Sequence, residues 1–399
     1  MSHKPRTLPT ALALAALATG AAVLVAMYAE TRMLSLLVLV LEPFLWFGLG
    51  AGCLYALVER RWHLAAVGAW SLAVLVFALR QPAPVVGPPA FAPDAASPVV
   101  RNCASLATTP SAPVRVLTWN VGGSDDELAA DIVQSEADLI VLQEVTAERV
   151  AEVTAAVQER LVTDFARARL AHFEELGEVP PAMTADQADL LPVAEGLHVP
   201  TMGNEGLGLI VRNGEFSYCG DADRFPIPLP AAGDRVARGA LVFASLERPD
   251  AERGYDLVPL MGVHLDRPGG PGELSGWPQR LKDSAETIAG FARALDTPNL
   301  VIAGDTNTHG TFRGFPGSMK GAGLTAVPPR ASWPASLMGV PALPLYQLDR
   351  VWHGDAWVTS AVRTLRGPGD HLGILATLSP REVATADLML PAPPVRLVD

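Results

Sequence analysis

The pattern of apolar and polar positions divides the 399-residue chain into two unlike parts. Three apolar runs come first: 8–28 without a charge, 34–58 with Glu42 as its only charge, and 63–79 again without one. Each is long enough, the third only just, to cross about 30 Å of hydrocarbon as a helix. A cleavable leader would explain the first run and leave two unexplained. A three-helix membrane anchor over 1–80 is therefore expected. Residues 81–113 carry eight prolines, the composition of a semi-rigid, extended tether.

From residue 114 the period changes. Short apolar runs bounded by turn residues alternate with helical patterns. Strands are expected at 114–120, 138–142, 206–212, 237–247, 256–264, 300–303, 346–352 and 371–378, and helices at 126–136, 146–177 and 276–295. The Pro/Ala/Asp-rich stretch 178–200 is longer than an ordinary loop and reads as a lid or a poorly ordered segment. The last 20 residues, 380–399, read as a loose tail. The organising stretch is 300–309, LVIAGDTNTH. Its apolar run stops abruptly, Gly304 is expected to turn the backbone, and Asp305 and Asn307 follow two apart, on one side of an extended segment. Alone, this pattern also fits a strand followed by an Asx turn.

Charge adds orientation and weighs against one partner class. The chain carries 30 Lys+Arg against 42 Asp+Glu. Residues 1–80 hold six and three of these, leaving 24 against 39 beyond, a net of −15. That balance repels a nucleic-acid backbone and disfavours a general nuclease, although a basic patch or a bound metal could override it. In the short loops, Lys4, Arg6, Arg60 and Arg61 lie on one side and Arg32 and Arg80 on the other. Positive loops stay in the cytoplasm, so the N-terminus is expected inside and everything after residue 80 outside. Glu42, with Pro43 after it, is either a functional intramembrane group or a protonated side chain bonded to a neighbouring helix. Cys103 and Cys219 could pair in an oxidising compartment. Thiol spacing alone does not decide this.

Several expected strands carry polar residues at their termini: Asn120, Glu144, His264 and Asp305 with Asn307 end theirs, Asp349 lies in LDRV, and Asp370 with His371 opens the last. One such end is ordinary; six are hard to explain as turn chemistry. Glu144 and Asp370 are hard oxygen ligands suited to Mg²⁺. Asn120, Asn307 and His264 can donate to phosphate oxygens without adding negative charge. His371, oriented by a carboxylate such as Asp349, can carry a proton, and Asp305 can orient or deprotonate water. Asp266, close behind His264, stays open between site and scaffold. His309 reads as a loop residue, His198 and His353 as surface, and Trp119 and Trp352 as core.

The stretches LTWNVGG (117–123), DLIVLQEV (138–145), GVHLD (262–266), VIAGDTN (301–307), LDRV (348–351) and GDHLGILATL (369–378), in that order, resemble the exonuclease–endonuclease–phosphatase superfamily over 114–379. The resemblance implies an α/β fold, a four-layered α/β sandwich of two mixed β-sheets packed face to face with helices outside, here preceded by the three membrane helices. It implies Glu144 as principal metal ligand, Asn120 and Asp370 as further metal-site groups, and Asp305 as water activator. Asn307 and His264 would hold the scissile phosphate, and Asp349 and His371 would form an acid–imidazole pair. The cofactor implied is Mg²⁺, with Mn²⁺ as an alternative. Three positions depart from the pattern: Thr306 stands for an aromatic, Gly373 for a proline and Arg350 for a histidine. The family's tyrosine has no clear match; GNEGL (203–207) occupies its place, and Asn204 could serve.

Anchor and domain together resemble the teicoplanin-resistance (VanJ-like) membrane proteins, which implies hydrolysis of a phosphate or pyrophosphate on a polyprenyl lipid carrier outside the cell. The expected partners are a phosphorylated small molecule or lipid and the bilayer, with nucleic acid disfavoured and no protein partner indicated. An extracellular nuclease or a sphingomyelinase-like phosphodiesterase would use the same residues. Exposed aromatics among Phe312, Phe315 and Trp333 would favour the phospholipase. A catalytically silent binding module on an anchor is the reading from another class.

Overall fold

A computed structural model describes residues 104, 110–122, 128–177, 179–181, 191–202, 205–216, 224–227, 229, 239–247, 255–267, 277–308, 314–337, 340–341, 344, 346–367 and 369–381. The three apolar runs, Glu42, Cys103, Cys219, Asn204, His309, Phe312 and nearly all of the tether and tail lie outside them. Among the described residues no helix is long and apolar enough to cross a membrane.

Two mixed sheets form the centre. The first has six strands: β1 (Val114–Asn120), β2 (Leu139–Thr146), β3 (Ala194–Met202), β4 (Glu205–Arg212), β14 (Trp357–Leu365) and β15 (Gly373–Pro380), in the order β14-β15-β1-β2-β4-β3. Within it β1 and β2 run parallel and the other pairs antiparallel. The second contains β5 (Gly214–Phe216), β6 (Phe225–Ile227), β7 (Gly239–Glu247), β8 (Tyr255–His264), β9 (Val301–Asp305), β10 (Thr325–Ala326) and β13 (Asp349–His353), in the order β10-β13-β9-β8-β7-β5 with β6 also on β7. Here β8 and β9 are the parallel pair. A small ribbon pairs β11 (Ser336–Leu337) with β12 (Val340–Pro341).

Period-two alternation sorts the strand residues into three cores. Val114, Val116, Leu139, Val141, Leu260, Val301, Ala303 and Val351 meet between the sheets. Leu117, Trp119, Ile140 and Leu142 face outward to helices α1 (Leu128–Ser135) and α2 (Ala147–Leu176). Met261, Val263, Ile302 and Trp352 face α3 (Trp277–Leu295) and α4 (Gly314–Gly321) on the other side. The layers are thus helix, sheet, sheet, helix. Helix α2 starts where the Thr146 side chain accepts from the Arg149 amide and stops at Gly177, whose φ of 69° and N–H bond to Glu174 O form a left-handed cap. Val150, Val153, Val157 and Leu161 make its buried stripe.

Six expectations change. Residues 194–202, which begin inside the stretch read as irregular and run two residues past it, form the edge strand β3, laid antiparallel along β4. The β14 strand was not expected because its pattern is polar on an exposed edge, and α4, rich in Gly, lacked a helical signature. The chain does not turn at Gly304: β9 continues through it to Asp305. The glycine is needed because a Cβ there would collide with the Val263 carbonyl oxygen on the neighbouring strand. His353, expected at the surface, is buried, with one ring nitrogen on Gly354 O at 3.0 Å and the other on Thr359 Oγ1 at 3.0 Å. His198, also expected there, is half-buried with Nε2 on Val145 O at 3.1 Å. Burial holds the His353 imidazole below its usual range.

Gly304→Ala is expected to lower the unfolding free energy by about 2–3 kcal/mol, read as a shifted urea midpoint. An unchanged midpoint would show that β8 and β9 can separate at no cost.

Candidate active site

The site lies where inner-face positions of both sheets reach one end of the sandwich. On the second sheet three such positions are in register: His264 pairs with Asp305, and Asp305 with Asp349. On the first sheet Asn120 ends β1 on the face that carries Val114 and Val116. Its side-chain amide spans the gap, donating from Nδ2 to Asp305 Oδ2 at 3.0 Å and to Glu144 Oε1 at 3.1 Å. The Gly122 N–H donates to Asn120 Oδ1 at 3.0 Å. Because that contact needs an oxygen acceptor, it fixes which way the amide points.

Glu144 reaches the site through a backbone irregularity. Regular alternation in β2 would place it on the helix side, with Leu142. Instead the register with β4 shifts between Gln143 and Val145, and Glu144 takes a left-handed φ of 56°. Such a bulge re-aims one side chain, and an unfavourable φ at a non-glycine residue is the kind of strain found at functional sites. Asn307, at φ 44°, is a second case. A Cβ on Gly122 would strike Glu144 Oε2, so that glycine makes room for the carboxylate.

The acid–imidazole pair is formed: His371 Nδ1 lies 2.7 Å from Asp349 Oδ2, both residues buried. Trp119 Nε1 holds the His371 carbonyl at 3.2 Å. A Cβ on Gly373 would press to 3.0 Å from the Trp119 ring, which accounts for glycine after the final histidine. Burial disfavours charge on His371, but the charge and hydrogen bond of Asp349, with the charges of Asp305 and Asp370, outweigh it and hold the imidazolium up to about 9. Asp305, Asp349 and His371 each offer a ligand atom within 4.8 Å of the others. His264 Nε2 is 3.6 Å from Glu144 Oε1 and 3.9 Å from Asp305 Oδ2.

Asn120, Glu144, His264, Asp305, Asp349 and His371 therefore converge. Asn307 is beside them, its N–H on Asp305 Oδ1 at 2.8 Å and its Nδ2 on Leu265 O at 2.8 Å. Asp370 is exposed, with its carboxylate accepting from Trp333 Nε1 at 3.2 Å. Asp266 is scaffold: its Oδ2 accepts from Arg280 Nε at 2.7 Å and its carbonyl from Trp277 Nε1 at 2.7 Å. Phe315 is core, against Trp352 at 4.9 Å. Trp119 and Trp352 are buried, as expected. Thr306 now has an account: its N–H and hydroxyl both bond Leu348 O at 2.9 Å, and its Oγ1 meets Thr308 Oγ1 at 2.8 Å. Sequence reasoning missed Arg267, whose Nη1 lies 3.2 Å from Glu144 Oε1 with the side chain 56% exposed. Its place directly after GVHLD was the available signal. Ser332 was also missed; its hydroxyl accepts from the Asp349 N–H at 3.1 Å.

A sandwich of this layering with carboxylates, amides and a paired imidazole at one end is a phosphoesterase-type architecture. The chain belongs to the endonuclease/exonuclease/phosphatase family, whose model matches residues 117–379. No curated protein sequence matches it. Among solved structures it is similar to an endonuclease/exonuclease/phosphatase from Beutenbergia cavernae, with 17% identity, 68% of this chain and 72% of that one covered, and a TM-score of 0.45. It is also similar to a mannosyl-6-phosphatase from Bacteroides thetaiotaomicron (13% identity, 66% and 99% covered, TM-score 0.41). A third similar structure is sphingomyelinase C from Streptomyces griseocarneus (15% identity, 67% and 99% covered, TM-score 0.41).

The raised His371 value has a consequence for stability. An imidazole whose folded value exceeds its unfolded 6.5 stabilises fully below that pH and loses the contribution as pH rises through about 9. In metal-free buffer the wild type is expected to lose about 3 kcal/mol between pH 6 and 9.5, measured by urea denaturation. Asp349→Asn should flatten that slope; an equal slope in both proteins would refute the pairing.

Proposed function

We propose that the protein is a membrane-anchored, Mg²⁺-dependent phosphoesterase that cleaves a phosphate or pyrophosphate ester of a lipid carrier at the outer face of the membrane. The observation that carries the hydrolytic part is the convergence of Glu144, Asp305, Asp349 and His371 around the Asn120 amide, in a chain of a family whose name joins nucleases and phosphatases.

The residues present fit a hard divalent cation. Buried Asp349 Oδ1 makes no hydrogen bond, the donors are carboxylate oxygens, and Gly122 leaves space beside Glu144 Oε2. Glu144 and Asp349 would hold it, and when bound it would supply positive charge to the phosphate and its leaving oxygen. The chain's own residues do the rest. Asp305, held at Oδ2 by Asn120 and at Oδ1 by the Asn307 N–H, orients water and takes its proton. Asn307 and His264 contact the scissile phosphate. The His371 imidazolium, kept charged by Asp349, faces the negative charge that builds on the phosphoryl oxygens. Arg267 adds a part-exposed cation beside Glu144.

The membrane part rests on the three apolar runs, the Lys/Arg asymmetry and the tether. A site held near the headgroups meets a lipid-linked phosphate at high effective concentration. The acidic surface disfavours nucleic acid and matters little to a small headgroup.

Asp305→Asn is expected to lower kcat for phosphate release from a prenyl diphosphate by about 10²–10⁴-fold. Glu144→Gln should weaken Mg²⁺ binding by at least about tenfold, measured by calorimetry. Full turnover in both variants would remove the assignment. Protease added to intact cells should digest residues 114–379 and spare a cytoplasmic control; protection of the domain would overturn the orientation.

A further inference from the structure

Arg350 follows Asp349 on β13, where the family resemblance leads one to look for histidine, and it points the other way. Val351 lies between the sheets and Trp352 in the helix-covered layer, so alternation puts Arg350 on the Trp352 side. Its guanidinium sits 5.9 Å over the Trp352 ring. Only 7% of the residue is exposed. Nη2 donates to the Thr308 carbonyl at 3.3 Å, and buried Nε has no hydrogen-bond partner. Among the described residues no carboxylate pairs with it. A buried, unpaired guanidinium is costly, and an apolar side chain of similar length would suit this layer better. Such a violation of packing rules is expected where function requires it.

What the guanidinium holds is the turn that carries Asp305 and Asn307. Thr308 O accepts from Arg350, while Thr308 Oγ1 meets Thr306 Oγ1, and Thr306 is tied through N–H and hydroxyl to Leu348 O. Thr306 and Thr308 are fully buried. Two departures from the family pattern, Thr306 and Arg350, thus meet on one residue. Between them Asn307 is kept at φ 44° with its N–H on Asp305 Oδ1. We propose that Arg350, with Thr306 and Thr308, forms a brace that holds the Asp305–Asn307 turn in its working geometry, so that Arg350 is a positioning residue for phosphoester hydrolysis. This rests on the phosphoesterase reading above.

The test compares wild type, Arg350→Met, Arg350→Lys and Thr306→Val in the full-length protein. It reads kcat and KM for phosphate release, Tm, and hydrogen exchange over 305–308. Arg350→Met is expected to lower kcat by about ten- to a hundredfold at unchanged KM, to leave Tm equal or higher, and to speed exchange at the Asn307 amide. Arg350→Lys should fall between wild type and Met. Thr306→Val should lower kcat too, and the double variant should lose less than the product of the two single losses. Wild-type kcat in Arg350→Met overturns the brace. So does a Tm that falls in step with kcat, or a variant that does not fold, since the guanidinium would then be structural. A wild type that releases no phosphate from any ester sinks the phosphoesterase reading instead, while Tm and exchange still judge the brace.

Discussion

The Asn120 side-chain amide is where the two sheets become one site. Glu144 arrives from the first sheet and Asp305 from the second, and two carboxylates brought together in a water-poor gap repel strongly. Asn120 Nδ2 donates to both, and the Gly122 N–H keeps the amide from turning. An aspartate in its place would add a third negative charge, and an apolar residue would leave two acceptors facing each other without a donor. The end of β1 therefore ties a carboxylate of each sheet to one side chain and so helps set the spacing between them.

Most of the sandwich was legible because its signals are local and periodic. Alternating apolar runs located β1, β2, β4, β7, β8 and β9; that Asn120, His264, Asp305 and Asp349 lie on inner faces emerges only once the sheets are paired. What the sequence does not show is whatever depends on another strand. Gly304 looked like a turn because glycine usually signals one, yet its constraint is the Val263 carbonyl beside it. Residues 194–200 carry too few apolar positions to announce a strand and become one by pairing along β4. His353 looked like a surface residue until Gly354 and Thr359 were found to satisfy both its nitrogens.

The site was legible in its residue types and less so in their division of labour. Glu144 was recognised as a carboxylate at a strand end, but the bulge that turns it inward is a backbone property with no local code. Asp370 and Asp266 look alike as candidate acids. The structure separates them: one sits at the exposed rim on Trp333, the other is locked under Arg280. Arg267 could have been noticed as a cation directly after a site motif, and only its contact with Glu144 gives it meaning.

Charge explains why these parts coexist. Three carboxylates, Glu144, Asp305 and Asp349, converge in a domain that is itself acidic. Each has a cation or donor arranged against it: Asn120 for two of them, His371 for Asp349, Arg267 for Glu144. The balance is incomplete, since Asp349 Oδ1 is left without a hydrogen bond in a place closed to water. An unsatisfied buried oxygen is unfavourable unless something positive completes the site. On the function proposed above, a divalent cation would meet that deficit, and its charge would in turn attract the substrate phosphate.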